Sequence, residues 1–424
     1  MNFPLTILQT VSAEAPWTYL VFALIGFAFG FTLEMSGFGN SEKLAAQFYF
    51  KDLTVLKVMF TAIVVAMLSI FTMVGLGILN FNLVWVNLTY LSSGLLGGLI
   101  MGVGFVIGGF CPGTSVVSAA TGKIDGIIFL IGGFFGAFLF GETEQYFTNW
   151  YNNAGYYGRL TLMDAFGLST GWIVLLVVLM AIFMFWGGEQ LERIFAKKDL
   201  SKEPKIRILG AGVLVLVAIA VIFIGSPSNE EKYSKVTISR TVEEKPLKLS
   251  PDQVLENQYA QISPAELFKT MNDDKLALTI IDVRDEADYN LFHIKNSVNM
   301  PLSDMGTYLK GLLSRTDPNV VNVLVSNDEE LSTNAWKYLV GESVPNLYIL
   351  QGGVNNWIAV FGETDPEIQK ADVSGIELLK YTFPSALGDR YECSDPSPIE
   401  YEKLEYLPVI QLQLKRDKSG GGCG

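Results

Sequence analysis

Histidine is almost missing from this chain: one residue, His293, in 424. Cysteine is nearly as scarce, at three: Cys111, Cys393 and Cys423. One histidine cannot build a histidine-based metal site, and an odd, widely spaced set of thiols is not a disulfide framework. No glycine-rich loop of the phosphate-cradling kind occurs, which argues against nucleotide hydrolysis. Neither a metal nor a cofactor is therefore expected. Charged residues are thin at 17%, and the net charge of −13 argues against nucleic acid and against docking on an anionic lipid surface. The opening MNFPLTILQTVSAEAPW has no basic n-region, so no cleaved signal peptide is read there.

What the chain has in abundance is apolar sequence. Half of its residues are hydrophobic, and they crowd into residues 1–225, whereas 226–424 is charged and mixed. This predicts an α-helical polytopic membrane domain over 1–225, a polar linker over 226–260, an α/β domain over 261–365 and a C-terminal extension over 366–424. Six stretches are long enough to span roughly 30 Å of hydrocarbon. They are 17–37, 57–80, 84–109, 124–142, 171–188 and 207–225. The basic loops all fall on one side: Lys43, Lys51 and Lys57, then Lys123, then Arg193 to Arg207. That side is read as cytoplasmic, which places both termini and the whole soluble half outside.

Glycines recur every fourth residue at Gly94, Gly98 and Gly102, at Gly104 and Gly108, and at Gly132 and Gly136. Such spacing suits close helix packing within the bundle. The third span ends differently, in GGFCPGTS. Cys111, Pro112 and Gly113 break the helix, and TSVVSAATG reads as a second, short helix with Pro112 in its first turn. A break at membrane depth is tolerated where it lines a cavity or is buried in protein. The new helix N-terminus favours an anion, and Thr114 and Ser115 add hydroxyl donors. Two readings stay open: a thiol beside a site for a sulfur-containing anion, or a buried structural cysteine at a helix end. GFAFGFTLEMSGFGNSEKLAA, from Gly26, weakly repeats GVGFVIGGFCPGTSVVSAA, from Gly102, with Gly39 at the place of Cys111. Two broken hairpins facing each other would make a symmetric path. Glu34, inside the first copy, is a candidate intramembrane acid or a side chain reaching the interface.

The glycine-rich spans, the paired hairpins and GGFCPGTS resemble the YeeE/YedE family of bacterial sulfur transporters over roughly residues 17–145. The resemblance implies a path for thiosulfate lined by Cys111 and the backbone of Pro112 to Ser115. The membrane part is short for that family and has one membrane cysteine. The resemblance therefore implies a homo-oligomer or a second membrane subunit that completes the path.

In the soluble half, LALTIIDVRD, NVVNVLVS and NLYIL read as strands alternating with helices at SPAELFKTM, where Ser263 is the N-cap, and at LSTNAWKYLVG. IDVRDEADYNLFHIKNSVNMPL and YILQGGVNNW resemble a rhodanese-like domain over about 262–362. That family places a nucleophilic cysteine after a strand, where this chain has Ser326, in the loop SNDEELS. A hydroxyl cannot hold a persulfide, and the carboxylates of the loop are expected to repel a sulfur anion. No working sulfurtransferase is expected, and His293 reads as structural. The end, KRDKSGGGCG, leaves three readings of Cys423 open: a sulfur-carrying arm, a disulfide with Cys393, or an inert end. PVIQLQLK before it reads as a last strand anchoring the arm.

The expectation is an inner-membrane importer of a small sulfur anion, thiosulfate by resemblance, carrying an extracytoplasmic inactive rhodanese-like domain. The alternatives are a membrane-anchored sulfurtransferase using Cys423 or Cys393, and a non-catalytic partner-binding membrane protein.

Overall fold

The computed structural model of the protein describes residues 16–84, 86–197, 205–242, 245–315, 317, 319–363, 365–386 and 388–412. They fall into two compact units, one drawn from residues before 80 and from 86–226, the other from 80–84 and from residue 227 onward.

The first unit is helical. Helix α1 (Pro16–Met35) leads through a turn to the short α2 (Ser41–Ala45) and then to α3 (Thr54–Gly75). Helix α4 (Leu91–Gly108) leads in the same way to α5 (Pro112–Ala120) and α6 (Ile124–Thr143), and α7 (Thr170–Phe195) and α8 (Ile206–Ile224) follow. Among the described residues, five helical stretches are long and apolar enough to cross a membrane, with α4 and α5 forming one of them; the apolar stretch of α1, Tyr19–Met35, is shorter. Three boundaries differ from expectation; the fifth span, read to 188, runs on to Phe195. The second span stops at Gly75, where Gly77, in a left-handed conformation (φ 67°), lets the Ile78 N–H return to the Met73 carbonyl. The third span begins at Leu91, not 84, because Thr89–Tyr90 pairs antiparallel with Tyr156–Gly158. That pairing satisfies backbone groups a helix would otherwise take.

Helices α3, α7 and α8 share a core of Val64, Leu68, Val174, Val178, Ala181, Ala218 and Val221. At one end of it, buried Glu192 of α7 accepts the Leu53 N–H (2.7 Å) and pairs with Lys57 (2.8 Å), so one carboxylate caps the start of α3. Among the described residues, the glycine stripes of α4 and α6 serve almost no packing inside one chain. A side chain at Gly94, Gly98, Gly102, Gly104, Gly132 or Gly136 would meet nothing within 4 Å; Gly108, against Phe129, is the exception in these stripes.

The second unit is built on a parallel five-stranded sheet: β1 (Gln261–Ile262), β2 (Ala277–Asp282), β3 (Ser297–Asn299), β4 (Val320–Val325) and β5 (Leu347–Leu350), in the order β1-β5-β4-β2-β3. Every residue of β4 and β5 is buried, as expected for strands covered on both faces. One face packs under Leu267, Phe268, Trp357 and Phe361, the other under Trp336, Leu339, Met305 and Leu312. The segment read as a linker is folded into the second face: Ile238–Val242 pairs antiparallel with Lys245–Leu249, and Leu249, Val254 and Ala260 join its core. The extension is folded too, with Tyr391 and Cys393 in the first face's core. Residues 80–84 belong to this unit. Asn82 donates to the Glu342 carboxylate (2.7 Å), which also accepts from Asn229 (3.1 Å) and Lys232 (2.8 Å).

Candidate functional site

The two helix breaks of the membrane unit meet. Gly37 (φ 77°) and Gly109 (φ 71°) both adopt a left-handed turn, and the phenylalanine after each, Phe38 and Phe110, is 1% exposed in a shared cluster with Leu44 and Val55. A side chain at Gly109 would press on Ser41 of the opposite break, 3.1 Å from its backbone oxygen. The weak sequence repeat is thus a repeat in structure.

Cys111 is the N-cap of α5. Its Sγ accepts the Thr114 N–H (3.5 Å), and Thr114 Oγ1 accepts the Cys111 N–H (3.0 Å), a reciprocal capping box. Pro112 at the first helical position needs no N–H partner, and Gly113 follows it in the exposed first turn. The thiol is half-buried. The two hydroxyls read as substrate donors are committed locally. Ser115 Oγ, fully buried, donates to the Pro112 carbonyl (2.7 Å), and the buried Thr114 hydroxyl serves the cap. One residue missed from sequence is Ser118. It lies seven residues beyond Cys111 on the same helix, is fully buried, and its hydroxyl has no hydrogen-bond partner. The spacing Cys111, Thr114, Ser115, Ser118 was the available signal.

Glu34 does not stand alone. It pairs with Lys123 at 3.6 Å, joining the end of α1 to the turn before α6. Gly39 is buried where this pair closes: a Cβ there would lie 2.7 Å from Glu34 Oε2 and 2.9 Å from Lys123 Nζ. The capping residue that corresponds to Cys111 in the first break is Asn40, whose Oδ1 accepts the Glu42 N–H (2.9 Å).

In the soluble unit, Ser326 follows β4 directly and is fully buried. Its hydroxyl lies 3.1 Å from Ser332 Oγ and 3.0 Å from the Glu377 carboxylate. The loop's carboxylates do not point at it. Asp328 pairs with Lys380 (2.7 Å), and Glu329 accepts the Gly352 N–H (2.7 Å). Instead the backbone N–H groups of Asn327, Asp328 and Leu331 converge on Glu377. The composition of the loop, read as repelling an anion, thus does not show these backbone donors. Gly353 must be glycine, since a Cβ would sit 2.2 Å from the Asp328 carbonyl. Arg284 is buried and spent on Asp282 (2.6 Å), Asn327 (2.9 Å) and the Phe292 carbonyl. His293 stacks on Tyr289 at 3.9 Å and bonds the Tyr289 carbonyl, a packing role.

Cys393 is a free thiol, 1% exposed, and burial with nearby Asp365 pushes its pKa up to about 12. It is a core side chain, protonated at neutral pH, and a poor nucleophile. Cys423 lies outside the described residues. Of the segment read as a terminal strand, residues 409–411 are held by side chains, not by sheet pairing. Glu266 accepts the Val409 and Ile410 N–H groups (2.8 Å each), and Arg240 donates to the Val409 carbonyl (2.6 Å).

The family model described as sulphur transport matches residues 35–240, and that of the rhodanese-like domain matches 263–360. An uncharacterized protein of Buchnera aphidicola subsp. Baizongia pistaciae (strain Bp) is 32% identical over 99 residues, which cover 23% of this chain and 67% of that protein. The membrane part of the chain, with its broken helical hairpins, belongs to the sulphur transport family and is joined to a rhodanese-like domain.

Proposed function

We propose that this multi-pass membrane protein imports a small sulfur anion, thiosulfate, across a bacterial inner membrane through the paired helix breaks, with Cys111 contacting the sulfane sulfur. The observation that carries the reading is the half-buried Cys111 thiol at the N-terminal cap of α5, opposite the matching break after α1. A helix N-terminus carries partial positive charge, so it attracts the anion, and a soft thiol suits its outer sulfur. Ser118, a buried hydroxyl without a partner farther along α5, fits a polar path continuing past the thiol. Glu34 and Lys123 lie beside the same breaks as charged groups the anion passes.

The basic loops favour import with the rhodanese-like domain outside the cell membrane. Residues 80–84 lie in the same compact unit as that domain, and the helical stretches between them cross an even number of times, which supports one side for both. The open glycine faces of α4 and α6 support a homo-oligomer or a second membrane subunit, since close helix approach is what such faces provide. In this reading the rhodanese-like domain, with Ser326 in place of a nucleophile, is a scaffold or a support for the Cys423 tail. The sulfurtransferase alternative loses Cys393 as its nucleophile, because that thiol is buried and protonated.

The test is uptake of sulfur-labelled thiosulfate by cells lacking other importers. Wild type should accumulate label, and Cys111→Ala should fall to the background of cells without the protein, at equal membrane abundance. Full uptake by Cys111→Ala would remove the thiol from the path. No uptake by wild type would move the alternatives ahead.

A further inference from the structure

The loop after β4 already holds an anion, and the chain supplies it. Glu377, from the extension, places its carboxylate among four donors. The Leu331 N–H (2.9 Å) and Ser326 hydroxyl (3.0 Å) bond Oε1, while the Asn327 (3.1 Å) and Asp328 (3.3 Å) N–H groups bond Oε2. Leu331 lies in the first turn of the twelve-residue helix Glu330–Gly341, so the dipole of that helix adds to the attraction. Among the described residues no lysine or arginine pairs with Glu377; the nearby Lys380 goes to Asp328. Its charge is held by N–H groups, a hydroxyl and a helix end, the way proteins hold a bound oxyanion.

The segment bearing Glu377 is built as a strap. Residues 372–376 and Leu378 are exposed, and Glu377 alone among residues 372–378 turns partly inward. To do so it takes a left-handed backbone conformation (φ 60°), one that residues with side chains rarely adopt. The strap is fastened by polar contacts: Asn327 donates to the Glu377 carbonyl (3.1 Å), Asn355 donates to the Leu378 carbonyl (2.9 Å), and the Glu377 N–H donates to the Asp328 carboxylate (3.2 Å). These contacts are bonds water can replace, so the strap can lift from the loop while Leu379 stays packed on the core.

We propose that Glu377 is an internal plug: loop 326–331 is a site for a small dianionic oxyanion, and the strap keeps it closed with a tethered carboxylate. The ligand class follows from the donor set, which offers hydrogen bonds to several oxygens and no thiolate for covalent chemistry. Binding there would be reversible and would release residues 373–380 from the loop. The proposal holds whether or not the membrane half conducts thiosulfate, because it rests on the soluble unit alone.

The experiment is hydrogen–deuterium exchange on the full chain in detergent, with wild type, Glu377→Ala and Glu377→Gln. Peptides over 326–332 should exchange about tenfold faster in Glu377→Ala than in wild type. Sodium thiosulfate or sodium sulfate should restore the protection, and sodium chloride at equal ionic strength should not. Glu377→Gln, which keeps the size and removes the charge, should show the same effect more weakly. In wild type, the same anions should speed exchange over 373–380. Protection over 320–325, the buried strand β4, reports whether a variant is folded. Should the alanine variant lose it, the glutamine variant decides. Unchanged exchange over 326–332 in folded variants would overturn the plug. Faster exchange that neither oxyanion slows would overturn the oxyanion site.

Discussion

At the first helix break, Gly37, Phe38, Gly39 and Asn40 carry the chain from α1 into α2; at the second, Gly109, Phe110, Cys111 and Pro112 carry it from α4 into α5. Both turns use a left-handed glycine and a buried phenylalanine, so the backbone solves the same problem twice. The caps differ. Asn40 is among the best N-cap residues, and its bond to the Glu42 N–H is 2.9 Å. Cys111 caps with a sulfur at 3.5 Å, a weak acceptor. A chain that uses asparagine where only a cap is needed has no structural reason to use cysteine in the matching place. The thiol at the second break is thus better explained by what sulfur can do than by what it holds.

The largest effect that sharpens this contrast separates capping from sulfur chemistry. Cys111→Ser should preserve the cap, because a hydroxyl accepts the Thr114 N–H better than a thiol does. The variant should melt at or above the wild-type temperature in detergent, yet take up no labelled thiosulfate. Asn40→Ser should keep both stability and uptake. Wild-type uptake by Cys111→Ser would break the contrast and return Cys111 to a structural role.

A smaller effect separates the two glycines. Gly109→Ala should cost about 1–2 kcal/mol for its left-handed backbone alone. It should cost more than Gly37→Ala, because the new methyl would meet the Ser41 backbone oxygen at 3.1 Å. At Gly37 the neighbour is the end of the Lys43 side chain, which can move aside. Thermal unfolding in one detergent measures both. Equal losses would mean that the breaks do not press on each other.

Much of this was legible in the sequence because it is local. Pro after Cys, hydroxyl residues and a change of hydrophobic pattern announce a broken helix, and they placed α5 within two residues of where it lies at either end. IDVRD and QGGVNNW fixed the strand ends of the rhodanese-like domain in the same way. What was missed depends on distant partners. Thr89–Tyr90 leaves the third span because it pairs with Tyr156 and Gly158, far along the chain. Gly94 and Gly132 have packing spacing but nothing to pack on within the chain. The loop SNDEELS looks hostile to anions when its letters are counted. Yet Lys380 and the Gly352 N–H draw its side chains away and leave backbone N–H groups facing Glu377, fifty residues on. Counting charge did not show this arrangement, because backbone groups carry no letter.

The smallest effect concerns Gly39, which stands at the place of Cys111 in the sequence repeat. If the two breaks were chemical equals, a thiol there would complete the pair. The structure gives that place to the Glu34–Lys123 ion pair. The atoms a new Cβ would strike, Glu34 Oε2 and Lys123 Nζ, are the ends of flexible side chains, and each side chain is 43% exposed. Gly39→Cys should therefore open the ion pair and leave the fold intact, costing under about 1 kcal/mol, since exposed pairs contribute little. Glu34→Gln supplies the control, because in its background Gly39→Cys should cost less than it does alone. The thermal unfolding cycle over the four proteins reads that coupling. A cost as large as that of Gly109→Ala, with no relief from Glu34→Gln, would show that Gly39 is held by the backbone of the turn. The first break would then be as rigid as the second, and the difference between them would reduce to the cap alone.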